Sequence, residues 1–159
     1  MKLSMVNQPG LLGALRDHLA IDQKLIDIER VRSYVSSPRL MDFSVRNFSA
    51  EKPAAVGDTF LDERTMLADA PQKTYGIFFG DWEVLKPQIE LVDAYHHNDK
   101  GVINIQVWAF DPTLLNEHQA RLAIALSYTR LELYAEPRII GALNDILEEV
   151  GFFVDCEHY

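Results

Sequence analysis

The densest run of potential metal ligands in the chain is His96-His97-Asn98-Asp99. Two imidazoles and a carboxylate could hold a divalent cation, but neighbours on an extended strand project to opposite faces, so His96 and His97 would not share one ion. Catalytic zinc takes three protein ligands, and neither an HExxH helix nor a paired CxxC supplies the rest. His118 lies too far along the chain for spacing to bring it to them. Cys156-Glu157-His158-Tyr159 sets a thiol two residues from an imidazole. A nucleophilic cysteine needs its base in hydrogen-bond reach and surroundings that favour thiolate, which an acidic chain end does not offer. Phosphate-binding signatures are missing too, since the sequence has neither GxxxxGK[ST] nor GxGxxG, and no serine sits in a GxSxG elbow. The residues therefore point to no catalytic group, no metal and no cofactor, and the chain is expected not to be an enzyme.

Two tryptophans stand beside acids or at strand ends, in Gly80-Asp81-Trp82-Glu83 and Trp108-Ala109-Phe110-Asp111. An aromatic residue among carboxylates can anchor a basic protein, because the ring supplies buried area while the charges steer and orient. Asp81 and Glu83 flank Trp82 directly, which makes Trp82 the candidate for partial exposure. The wider charge pattern agrees. Residues 1–80 hold as many basic as acidic side chains, so the whole net charge of −9 comes from residues 81–159. That field repels phosphate backbones and anionic lipid, so neither nucleic acid nor membrane is an expected partner. Asp81, Trp82, Glu83, Asp93, Asp99, Glu132 and Glu136 are the candidate contacts for a basic partner.

The elements that must carry these residues can be read from periodicity. Leu11, Leu12, Leu15 and Leu19, then Ile21, Leu25, Ile28, Arg32 and Val35, recur at helical spacing and predict one or two helices over 9–36. Ser36-Ser37-Pro38 ends them, because the residue before a proline is biased away from the α region. A strand is expected over 41–48, a short one over 59–64 and another from Thr74 to Phe79. Residues 88–96 and 102–110 both alternate, and Asn98-Asp99-Lys100-Gly101 between them can turn, so an antiparallel hairpin is predicted. Asp111-Pro112 carries the cap and first-turn proline of a helix that runs through Leu115, Leu122 and Leu126. Ser127 to Tyr134 fit both a helix and a strand. After Pro137, Ile140, Leu143, Leu147 and Val150 form the apolar stripe of a further helix, which Gly151 stops. Phe152 to Val154 suit a terminal strand. The expected core comprises Ile103, Ile105, Val107, Leu122, Leu126, Ile140, Leu143 and Leu147.

Helix, then strands, then helices, without βαβ alternation, predicts an α+β fold in which a mostly antiparallel sheet packs against N-terminal and C-terminal helices. At 159 residues and 48% hydrophobic, one globular domain over 1–159 is expected, large enough to fold without disulfides or metal. A lone cysteine, no leader-like start and no apolar run of about 18 residues lead to the expectation of a cytoplasmic protein.

Gly80-Asp81-Trp82-Glu83, the acidic C-terminal half, and Leu131-Glu132-Leu133-Tyr134-Ala135-Glu136-Pro137 leading into an amphipathic helix give a chain that resembles bacterial toxin immunity proteins, including those of contact-dependent growth inhibition. The likeness is one of size, charge and architecture. It implies stoichiometric binding and neutralisation of a cognate toxin domain, a basic nuclease being the expected kind. The alternatives are a small metal-dependent hydrolase, with a metal at His96 or His97, and a ligand-binding regulatory domain with a pocket between helices and sheet.

Overall fold

A computed structural model describes residues 26–32, 37–68 and 72–154. Most of the expected 9–36 helical region, and Cys156 with His158, lie outside these residues. The elements in chain order are β1 (Ile26–Asp27), α1 (Ile28–Arg32), β2 (Arg39–Arg46), β3 (Ala54–Ala55), α2 (Gly57–Arg64), β4 (Thr74–Phe78) and α3 (Phe79–Leu85). There follow β5 (Glu90–Val92), β6 (Ile103–Trp108), α4 (Glu117–Ser127), α5 (Arg130–Ala135), α6 (Pro137–Leu147) and β7 (Phe152–Phe153). The class is α+β, as the element order predicts, with a five-stranded, mostly antiparallel sheet and helices. The residues group into two compact units. A sheet unit holds Pro38–Glu63 and Ala68–Leu114, and a helical unit holds the described residues up to Ser37, Arg64–Leu67 and those from Leu115 on.

The sheet has the order β3-β4-β6-β2-β5. Here the predicted hairpin fails. β5 and β6 do not pair; β2 lies between them, antiparallel to both, so the two strands run parallel to each other. Val45 of β2 sits opposite Leu91 on one side and Ile103 on the other. The segment between β5 and β6 is a crossover too long for a tight turn, exposed over residues 93–101 with buried Val102 at its end, and Arg46 holds it by Nη2 donating to Asp99 Oδ2 at 3.1 Å. The expected strand over 59–64 is also corrected, because those residues belong to helix α2. Thr59, Phe60 and Leu61 are buried in succession, which a strand with one buried face could not achieve. The Thr59 hydroxyl accepts from the Thr74 amide at 2.8 Å, satisfying the first backbone donor of β4.

One sheet face carries Val45, Ile77, Ile105 and Val107, closed by Trp82 and flanked by half-buried Phe43, Tyr75 and Ile103. The opposite face of β6 is buried too. Gln106 and Trp108 lie there, with Trp108 Nε1 donating to Gln106 Oε1 at 3.1 Å. Gly76 lets Val56 and Pro112 cover β4 on this side, since a Cβ at residue 76 would come within 2.8 Å of Val56 Cγ1. Seven of the eight expected core residues are buried, and Ile103 is half-buried.

Asp111, at the end of the sheet unit, does not start the long helix as expected. It accepts from the Thr113 amide at 2.9 Å and caps a short 3-10 turn, Pro112–Leu114. The helix itself begins at Glu117, under a capping box of Asn116 and Gln119. A second box, Thr129 with Glu132, restarts the chain as α5, so most of 127–134 is helical, interrupted at Tyr128 and Thr129. α6 opens on Pro137 and buries the stripe Ile140, Leu143 and Leu147; Gly151, at φ 80°, ends its 3-10 extension in the left-handed region. Arg32 Nη2 donates to the Ala125 and Tyr128 carbonyls at 3.1 and 2.9 Å, so α1 supplies partners for the C-terminal end of α4. β1 and β7 pair in parallel.

Candidate functional site

β4 passes directly into α3. Phe78, extended at φ −61° and ψ 137°, is the residue before the first helical turn, and it offers no side-chain cap. A helix advances about 100° per residue, so a residue whose two neighbours face solvent can itself face the core. Trp82 does this. It is fully buried and stacks on Phe43, with ring centroids 4.8 Å apart and planes 20° from parallel. The expectation that Trp82 is a partly exposed anchor is thereby corrected: the acids on either side of it lie on the solvent side of a short helix whose inner face Trp82 fills. Asp81 and Glu83 are both exposed.

The apolar residues that α3 leaves in water are Phe79, 46% exposed, and Val84, 69% exposed. Val84 also lines a groove of about 440 Å3. Its lining includes Gly76, Ile77 and Phe78 of β4, Val84 and Leu85 of α3, and Phe48, with the charged residues Glu51, Lys52, Asp81 and Asp111. The Asp81 carboxylate makes no hydrogen bond or ion pair with another described residue. Asp111 commits Oδ1 to the Thr113 amide and hydroxyl, at 2.9 and 2.6 Å. Lys52 has a left-handed backbone, φ 52°. The arrangement is an acidic, partly apolar concavity, with no nucleophile and base in contact among the described residues.

The other candidate contacts distribute as follows. Asp93 and Asp99 lie on the β5–β6 crossover. Asp93 accepts from the amides of Tyr95 and His96 at 3.0 and 3.3 Å, and Asp99 takes both Arg46 and His96 Nδ1, the latter at 2.9 Å. Glu132 and Glu136 belong to the helical unit. Glu132 Oε1 accepts from the Thr129 amide at 2.9 Å, and Glu136 pairs with Arg138 at 2.9 Å. These four carboxylates hold local structure, whereas Asp81 and Glu83 are uncommitted.

His97 Nδ1 faces the Ala94 carbonyl and Gln72 Nε2 donates to the His97 carbonyl, so the two adjacent histidines turn to different partners. His118 is an exposed residue of α4 in the helical unit. Among the described residues, no three His, Cys, Asp or Glu side chains converge on a point where a metal ion could bind. No described helix is long and apolar enough to cross a membrane.

Sequence reasoning missed Phe79, Val84 and the groove. A helical reading of 79–85 would have found the first two, because it separates Trp82 and Leu85 from Phe79, Asp81 and Glu83; the groove joins residues distant in sequence and left no local signal. No known protein family, curated protein or solved structure matches the chain.

Proposed function

We propose that the protein is an immunity-type inhibitor, which binds a basic toxin domain through the solvent face of α3 and so denies that domain its substrate. The observation that carries the reading is the pairing of uncommitted acids with exposed apolar area on one short helix: Asp81 and Glu83 with Phe79 and Val84. Interfaces gain most of their affinity from a few desolvated aromatic or aliphatic anchors, while rim charges set the association rate. Phe79 takes the anchor role that the sequence suggested for Trp82. A nuclease suits the chemistry, since a surface evolved to hold phosphates is basic and an acidic helix competes for it. Action in the cytoplasm, where such a toxin meets its substrate, goes with this reading.

The test is co-expression with a basic nuclease toxin domain from the source cell, scored by survival and by stopped-flow binding. Raising salt from about 50 to about 500 mM shortens the Debye length from roughly 14 to roughly 4 Å, so association should slow while dissociation changes little. Asp81→Lys with Glu83→Lys should slow association, and Phe79→Ala should speed dissociation. Undiminished protection by the double charge reversal, together with association indifferent to salt, would refute the proposal.

A further inference from the structure

The groove beside α3 has the composition of a seat for a cation carried on an apolar stem. Its volume, about 440 Å3, falls within the range of about 300–1,000 Å3 typical of ligand pockets. The charged residues along it are lopsided, with Glu51, Asp81 and Asp111 against the single Lys52. Asp81 is unspent, and Asp111 has committed only Oδ1. An anion would meet three like charges there. A neutral apolar guest would strip water from carboxylates without replacing it. A guanidinium satisfies such oxygens with charge-assisted hydrogen bonds in fixed geometry, and its methylene stem can lie along Ile77, Val84 and Leu85.

We infer that this groove seats an arginine side chain of the protein partner. The inference rests on the reading of α3 as the docking face, since the groove opens beside Asp81 and Val84 of that helix. Lys52 then acts against binding. It is the one lining charge whose removal should strengthen the site, and a zwitterionic guest would show the opposite.

The experiment titrates the full chain with N-acetyl-arginine methylamide, and separately with its neutral citrulline counterpart, following backbone amide shifts by NMR. The arginine compound should produce saturable shifts at Ile77, Phe78, Asp81 and Val84, with affinity on the order of 1 mM, and citrulline should not. Asp81→Asn should weaken binding about threefold to tenfold, and Lys52→Gln should tighten it about twofold. Both side chains lie on the groove's charged lining, and an unchanged spectrum elsewhere will show that each variant is folded. Three results would overturn the inference. The first is no saturable shift up to about 20 mM arginine compound while the toxin domain still binds α3 in a salt-dependent way; the docking face would then stand without the groove. The second is weaker binding in Lys52→Gln, which would assign the groove to a zwitterion. The third is a free alkylguanidine binding tenfold tighter than the blocked residue, which would assign it to a soluble cation.

Discussion

Replacing Trp82 by alanine separates a core role from a binding role. Trp82 is fully buried and is among the largest side chains at zero exposure, so truncation leaves a cavity that the sheet can close only in part. Truncating a buried aromatic side chain to alanine costs about 3–5 kcal/mol. Loss of the stack on Phe43, at 4.8 Å between centroids, places the effect in the upper part of that range, because such pairs contribute about 0.5–1.5 kcal/mol beyond their buried area. Trp82→Phe keeps a ring for Phe43 and should cost roughly 1–2 kcal/mol. Domains of this kind have in total about 5–15 kcal/mol, so the alanine variant should be close to unfolding. Phe79→Ala, at a residue 46% exposed, should cost under about 1 kcal/mol. Urea denaturation followed by fluorescence suits the comparison, since Trp82 and Trp108 are the only two tryptophans, both in the sheet unit, and Trp108 still reports when Trp82 is gone. A Trp82→Ala midpoint equal to that of the unmodified protein would show that this side chain is not part of the core and would reopen its role as a surface anchor.

Other consequences concern single interactions. Hydrogen bonding from Arg64, at 2.7 Å, holds the Glu117 carboxyl below its usual value of 4.5 despite some desolvation. A carboxyl with a depressed folded pKa adds stability above its unfolded pKa and loses it as pH falls through the folded one, so Glu117→Gln should flatten the acid limb of the stability curve below about pH 4.5; superimposable curves for the two proteins would remove the argument. Arg32→Met deletes the donors to the Ala125 and Tyr128 carbonyls and the ion pair to Glu29, and should lower stability by about 2–4 kcal/mol by far-UV circular dichroism, with no change if solvent replaces those partners freely. Gly76→Ala forces a Cβ to within 2.8 Å of Val56 Cγ1 and should cost about 1–3 kcal/mol; a neutral thermal midpoint would mean that the Val56 side chain can move aside at no cost.

The sequence revealed elements better than partners. The stripe of Ile140, Leu143 and Leu147 and the alternation of Ile103, Ile105 and Val107 are local patterns, and both are realised in α6 and β6. Strand pairing is not local. Period-two alternation says which face of β6 is apolar but not which strand lies beside it, and the insertion of β2 between β5 and β6 has no signature in either arm. Gln106 misleads for a related reason. It marks a polar face by type, yet it is buried, because Trp108 supplies the hydrogen bond that makes its burial tolerable. Trp82 shows the same limit at the site, where the flanking acids suggested exposure by their type alone, although neighbours in sequence on a helix point in different directions and Trp82 faces the core. Arg64 and Glu117 pair although far apart in sequence, so no window of residues could have found them.

The parallel pairing of Ile26–Asp27 with Phe152–Phe153 fixes an order of assembly on the ribosome. The whole of 38–114 is synthesised before α4, α5 and α6 exist, whereas α1 needs those late helices to cover it. Ile28 and Val31 have no exposure in the finished protein, yet they are synthesised well before α4 and β7, which pack in the same unit. At about 5–20 residues per second that interval lasts several seconds, long enough for an exposed apolar segment to be captured by a chaperone or by another nascent chain. A translational pause within 115–151 should therefore raise the aggregated fraction relative to uninterrupted synthesis.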